Sequence, residues 1–123
     1  MKKTSYTEIE AYTTKDGSLI RELMHPEIHG NKNLSLAQAI IEPGCCTRSH
    51  VHTTSEEVYH ILQGKGIMAL CKERFAIGPG DTVCISPNQP HSLENTGHEQ
   101  LILLCCCSPP YSHEDTEMCP QME

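Results

Sequence analysis

At 123 residues the chain has room for one hydrophobic core and not for two. Its formal charge of −7, with 9 Lys and Arg against 16 Asp and Glu, leaves no basic patch to neutralise phosphates, which excludes nucleic acid and an anionic membrane as partners. Only 37% of residues are hydrophobic, Trp is absent and Phe75 is the single Phe, so Ile, Leu, Val and Ala must supply the core.

The opening "MKKTSYTEIEAY" has two lysines but no apolar run, so no secretory signal is expected, and no stretch approaches 18 consecutive apolar residues. A cytoplasmic chain is the corresponding expectation. Eight cysteines then read as reduced thiols. Cys45-Cys46 and Cys105-Cys106-Cys107 are adjacent and no CxxC occurs, which leaves no zinc-ribbon or thioredoxin-type motif.

Turn signals recur along the chain at "KDGS" (15–18), "HGNKN" (29–33), "EPG" (42–44), "QGKG" (63–66), "GPGD" (78–81), "SPNQP" (86–90) and "ENTGHE" (94–99). The short segments between them, among them "SLIRELM" (18–24), "NLSLAQAII" (33–41), "GIMALC" (66–71), "DTVCIS" (81–86) and "LILLCCC" (101–107), predict an all-β sandwich or barrel. In "LILLCCCS" the cysteines read as small apolar groups in a buried strand. His25, His29 and His98 fall in turn-rich segments and read as solvated. Residues 1–107 form the expected domain, and the Pro-rich 108–123 an extended tail, in which "PPYSHEDT" either folds back on the barrel or frays.

One segment is ambiguous. "TTSEEVYHILQG" (53–64) has Thr54 three residues before Glu57, as in a capping box, and Val58, Ile61 and Leu62 at helical spacing before Gly64. As a strand, it puts Glu57 on one face with Tyr59 and Ile61, and Glu56 and His60 on the other. In the same reading His50 and His52 share a face. As a helix, Glu56 would sit beside His60.

The stretch "GCCTRSHVHTTSEEVYHILQG" (44–64) resembles the first motif of the cupin superfamily at Gly44, His50, His52, Glu57 and Gly64. "GDTVCISPNQPHSLEN" (80–95) is similar to the second motif at Gly80, His91 and Asn95. It departs from that motif at Ser86, where the family usually has Pro, and at Asn88, where it usually has Gly. Asn tolerates a left-handed backbone better than most residues, so the departure touches the turn rather than the ligand set. The resemblance implies a double-stranded β-helix, a jelly-roll barrel with 53–64 as a strand, and His50, His52, Glu57 and His91 as ligands of one divalent transition-metal ion.

Three neutral imidazoles and a carboxylate are borderline donors suited to a divalent first-row ion. A site with open positions favours Fe, Mn or Ni, with Zn also able to occupy it, whereas a structural zinc site is closed and usually contains thiolate. Arg21, Gln38 and Tyr59 are candidates for projecting into the barrel and orienting a bound acid or sugar, with Tyr59 the candidate for handling protons. The resemblance implies a small-molecule ligand and a homodimer paired through outer sheet faces. Its activities span isomerases, dioxygenases and decarboxylases as well as non-catalytic binding modules. "Mannose-6-phosphate isomerase-like", a label given to single-domain cupins, is an analogy only.

Overall fold

Two antiparallel sheets carry almost all of the regular structure in the computed structural model, which describes residues 2–120. In chain order the strands are β1 (Tyr12–Thr13), β2 (Leu19–Met24), β3 (Ser35–Ile41), β4 (His50–His52), β5 (Glu56–Gln63), β6 (Gly66–Leu70), β7 (Glu73–Ile77), β8 (Thr82–Ile85), β9 (His91–Asn95), β10 (Leu101–Ser108) and β11 (Thr116–Met118). A 3-10 turn at Tyr6–Glu8 and the short helix α1 (Pro26–His29) are the helical pieces among the described residues. One sheet runs β1-β2-β3-β10-β5-β8 and the other β11-β4-β9-β6-β7. The all-β, jelly-roll expectation holds. No helix of the described residues is long and apolar enough to cross a membrane.

Alternation explains the core. β10 buries Leu101, Leu103, Cys105 and Cys107 on its inner face and leaves Ile102, Leu104 and Cys106 half-buried on the outer one. Met68 of β6, Ile85 of β8, Leu93 of β9 and Ile61 of β5 meet the inner row from their own strands. The ambiguous segment 53–64 is strand β5, hydrogen-bonded on both edges, to β10 and β8. Its inner row is Glu57, Tyr59 and Ile61, so Val58 and Leu62, which a helix would have placed with Ile61, face outward. Tertiary pairing on two edges overrides a local pattern that fits either state.

Asn88 adopts φ 65, a left-handed backbone in the 86–90 turn, and its N–H donates to the His52 carbonyl at 2.8 Å. All eight cysteines are free thiols.

The segment expected as an extended tail re-enters the barrel over its described part, 108–120, and 121–123 lie outside the described residues. β11 pairs with β4, Thr116 against His52 and Met118 against His50, and covers an edge that would otherwise expose unpaired backbone groups. Just before it, Asp115 accepts bonds from the Thr53 and Thr54 hydroxyls and from the Thr54 and Ser55 amides, clamping the turn between β4 and β5. His25 is buried rather than solvated. It caps α1 by accepting from Glu27 N, and its other ring nitrogen donates to the Tyr111 carbonyl at 2.8 Å.

The Asp115 clamp predicts a pH dependence. Partial burial works to raise the carboxyl, but the bonds from Thr53, Thr54 and Ser55 hold it at about 2 against an ordinary 3.8. A depressed pKa contributes stability that is complete above the ordinary value and is lost as pH falls through the folded one. Asp115→Asn should therefore melt below the parent protein at pH 6, and the gap should close between pH 4 and pH 2. A constant gap across that range contradicts the clamp.

Candidate metal centre

β4 and β9 lie side by side with His50 opposite His91, and alternation along β4 sends His52 the same way as His50. Glu57 reaches the same point from β5 in the other sheet. All four side chains are buried, none more than 5% exposed. The ligating atoms of His50, His52 and His91 lie within 4.8 Å of one another. Glu57 Oε1 stands 3.1 Å from His52 Nε2 and 3.5 Å from His91 Nε2.

The outer hydrogen bonds fix which ring nitrogen points inward. His50 Nδ1 and His91 Nδ1 face the carbonyls of Arg48 and Gln89, each at 2.9 Å, and a carbonyl can only accept. His52 Nδ1 faces Thr116 Oγ1 at 3.1 Å, whose own proton goes to the Ser112 carbonyl, so it too must donate. Each Nδ1 thus holds the proton and each Nε2 lone pair is left pointing inward, the arrangement that outer partners impose on metal-bound histidine. His91 Nε2 is buried without any hydrogen-bond partner.

Lone pairs facing a carboxylate oxygen repel unless a positive charge lies between them. Against the upward push of its burial, positive charge at the Nε2 side of His52 and His91 would hold the Glu57 carboxyl at about 2. A second proton on the rings is disfavoured where they crowd, since burial and the His91 ring push the His50 imidazole below its ordinary value. A divalent cation satisfies all four donors at once. The residues fit such an ion.

Thr116→Val removes the acceptor that orients His52. Metal affinity should fall roughly 10- to 100-fold, the usual cost of losing an outer partner, with the fold intact. Calorimetric titration checks this, and unchanged affinity would contradict the role given to Thr116.

His50, His52 and Glu57 face an interior cavity of about 40 Å³, which admits only a ligand of a few heavy atoms alongside an ion. Tyr59 lines it, its phenol pushed far above its ordinary value by burial and by Glu57, so it stays an O–H donor at neutral pH. Arg21 and Gln38 do not line it. They sit opposite each other on β2 and β3, on the outer face, where Arg21 stacks 4.8 Å over the Tyr6 ring and Gln38 accepts from the Tyr6 hydroxyl. The reason is phase: in β2 the inward residues are Ile20 and Glu22.

Sequence reasoning missed several cavity residues. Glu22 is 6% exposed and accepts from the Tyr12 hydroxyl at 2.7 Å. Asp16 lies in the "KDGS" turn, with Oδ2 3.8 Å from His50 Nε2. Cys107, read as a plain apolar group, points its Sγ at Glu57 Oε2 at 3.2 Å, and burial followed by the Glu57 charge keeps it a thiol. Cys45 and Cys46 are exposed and stand outside the histidine cluster.

Two sheets closed around a histidine-rich interior define a jelly-roll barrel built to hold a small site. Residues 37–107 match the cupin domain family, and the chain belongs to it. The chain is 53% identical over 116 residues to MJ1618 of Methanocaldococcus jannaschii, covering 94% of this chain and 93% of that one. It is 33% identical over 86 residues to the oxalate-binding protein of Thermotoga maritima, covering 70% of this chain and 67% of the relative. Polyketide cyclase RemF from Streptomyces resistomycificus has the same fold, with a TM-score of 0.82 at 19% identity over 100% of this chain and 88% of that one.

Proposed function

We propose that the chain holds one divalent transition-metal ion through His50, His52, Glu57 and His91 and uses it to bind a small polar molecule, as a metalloenzyme of isomerase, dioxygenase or decarboxylase type. The observation that carries this reading is the set of three imidazoles whose Nδ1 protons are committed outward, leaving buried lone pairs turned toward a buried carboxylate. Fe, Mn or Ni suits an all-nitrogen-and-oxygen donor set, and Zn can also fill it. The bound ion supplies Lewis acidity. The chain's own contribution is a narrow cavity and the Tyr59 hydroxyl as a donor to the ligand. The printed name of the Thermotoga maritima relative supports a small-molecule ligand, without carrying over the charge of that one. Loading metal-free protein with each of the four ions and screening small sugars, acids and diketones tests the reading. Turnover with one ion is the expected result, and none with any ion removes the catalytic claim.

A second reading, a non-catalytic binding module, draws on a specific observation. Proton-transfer groups are tuned toward neutrality, whereas the displaced groups here move away from it: the Tyr12, Tyr59, Cys105 and Cys107 protons are held more tightly, Glu57 less. Tight, metal-dependent ligand binding without product favours this module.

The outer face of the six-stranded sheet carries half-buried Leu36, Val58, Ile102, Leu104 and Cys106 on adjacent strands, which supports a homodimer paired through that face. Light scattering at micromolar concentration should give twice the chain mass of 13.7 kDa, and a monomer contradicts it. The eight free thiols support a reducing, cytoplasmic location.

A further inference from the structure

The cavity wall around the histidines is acidic and unbalanced. Glu22, 6% exposed, has one carboxyl oxygen bound to the Tyr12 hydroxyl, and the other, Oε2, is buried with no partner at all. Asp16 uses Oδ1 to accept from the Ser18 amide and hydroxyl, which leaves Oδ2 on the cavity side near His50. With Glu57 that makes three acidic side chains, and among the described residues no Lys or Arg lines the cavity. Tyr12, Glu22 and Tyr111 also border a larger outer groove of about 420 Å³ that includes Glu27 and Glu114 and again no Lys or Arg. The nearby Lys15 ammonium is committed to the carbonyls of His113 and Thr116.

Formal charges decide what this wall accepts. Three acids against one divalent ion leave −1 before any ligand enters. A dianion chelating the ion would bring two more negative charges into a narrow, low-dielectric space with no cationic side chain to meet its far end. A hydroxyl or ammonium donor, by contrast, would satisfy the orphaned Oε2, and a hydroxyl oxygen of the same molecule can still approach the ion. The field of the wall is felt by its neighbours, since burial together with Glu22 and Asp16 tightens the Tyr12 proton.

We infer that Glu22, Tyr12 and Asp16 form a recognition subsite for an uncharged or cationic small molecule bearing hydroxyl or amine donors, the chemistry of a polyol or amino alcohol, and that the site rejects dianionic acids. The inference rests on the metal reading above and narrows its ligand class. It separates this chain from what the name of the Thermotoga maritima relative describes.

Three probes of equal length isolate the effect: 1,3-propanediol, 3-amino-1-propanol and malonate, titrated into Mn(II)-loaded protein whose metal content is measured before and after. The diol or the amino alcohol should bind at least ten-fold more tightly than malonate. Glu22→Gln should shrink that ratio ten-fold or more. Asp16→Asn, which keeps the Oδ1 acceptor for Ser18, should move it the same way, and it serves if the first variant does not fold. Malonate binding as tightly as the neutral and cationic probes overturns the inference while leaving the metal site standing. So does a ratio that both folded variants leave unchanged. Failure of the parent protein to retain Mn(II) overturns the metal reading for that ion and this inference with it.

Discussion

Glu57→Gln should abolish stoichiometric metal binding and, with it, the metal-dependent part of the melting temperature. Glu57 is the only acidic member of the proposed set and the only one contributed by the six-stranded sheet, so it supplies both the compensating charge and the bond that ties the two sheets through the ion. A metal at about a thousand times its dissociation constant stabilises a folded protein by about 4 kcal/mol. In a chain of this size each kcal/mol moves the midpoint by roughly 4 °C, so the parent protein should gain on the order of 15 °C on loading. The variant should gain almost nothing while retaining its metal-free midpoint within a few degrees, because the amide still fills the space. Scanning calorimetry with and without metal reads both numbers. An equal gain in the two proteins contradicts the assignment of Glu57.

Gly64→Ala should be among the most damaging single-methyl changes in the chain. Gly64 ends β5 at φ +91, and an added Cβ would lie 2.8 Å from the Gln100 carbonyl oxygen and 2.9 Å from Leu101 Cα. The left-handed backbone alone costs a non-glycine residue about 1–2 kcal/mol. The overlap is with backbone of the neighbouring β10 connection, which cannot swing aside as a side-chain tip would. Together these put the loss on the order of 3 kcal/mol or more, comparable with truncating a large core residue. Denaturant unfolding measures it. A loss below about 1 kcal/mol would mean that the β5–β6 turn and Gln100 can separate freely, against the packing described.

The four converging side chains were legible because period-2 alternation and two motifs act together. His50 and His52 share a face in any strand, and Gly64, Gly80 and Asn88 mark turns by backbone conformation that a sequence can signal: all three adopt positive φ. The strand identity of 53–64 was not legible locally, since a capping-box spacing and a helical apolar row coexist there. Only its two hydrogen-bonded neighbours decide it.

Arg21 and Glu22 show a different limit. In "LIREL" the apolar residues occupy both phases, Leu19 and Leu23 in one and Ile20 in the other, so alternation gives no sign of which charged residue turns inward. Packing chooses Glu22, whose carboxyl meets the Tyr12 hydroxyl of the adjacent strand. Asp16 left no local signal either. It reaches His50 because its carbonyl accepts from the Arg48 amide, a contact between distant parts of the chain. The 108–123 segment looked like a polar tail because the worth of Asp115 and Thr116 lies in their partners, the 53–55 turn and His52, and not in any apolar pattern of their own.

Anomalous diffraction from crystals grown without chelator, collected on either side of the absorption edge of whichever element is found in the purified protein, tests the central claim most directly. The account predicts one strong peak per chain, bounded by the Nε2 atoms of His50, His52 and His91 and by a Glu57 carboxyl oxygen. A peak elsewhere, or a fully occupied ion that leaves Glu57 or His91 uncoordinated, would contradict it.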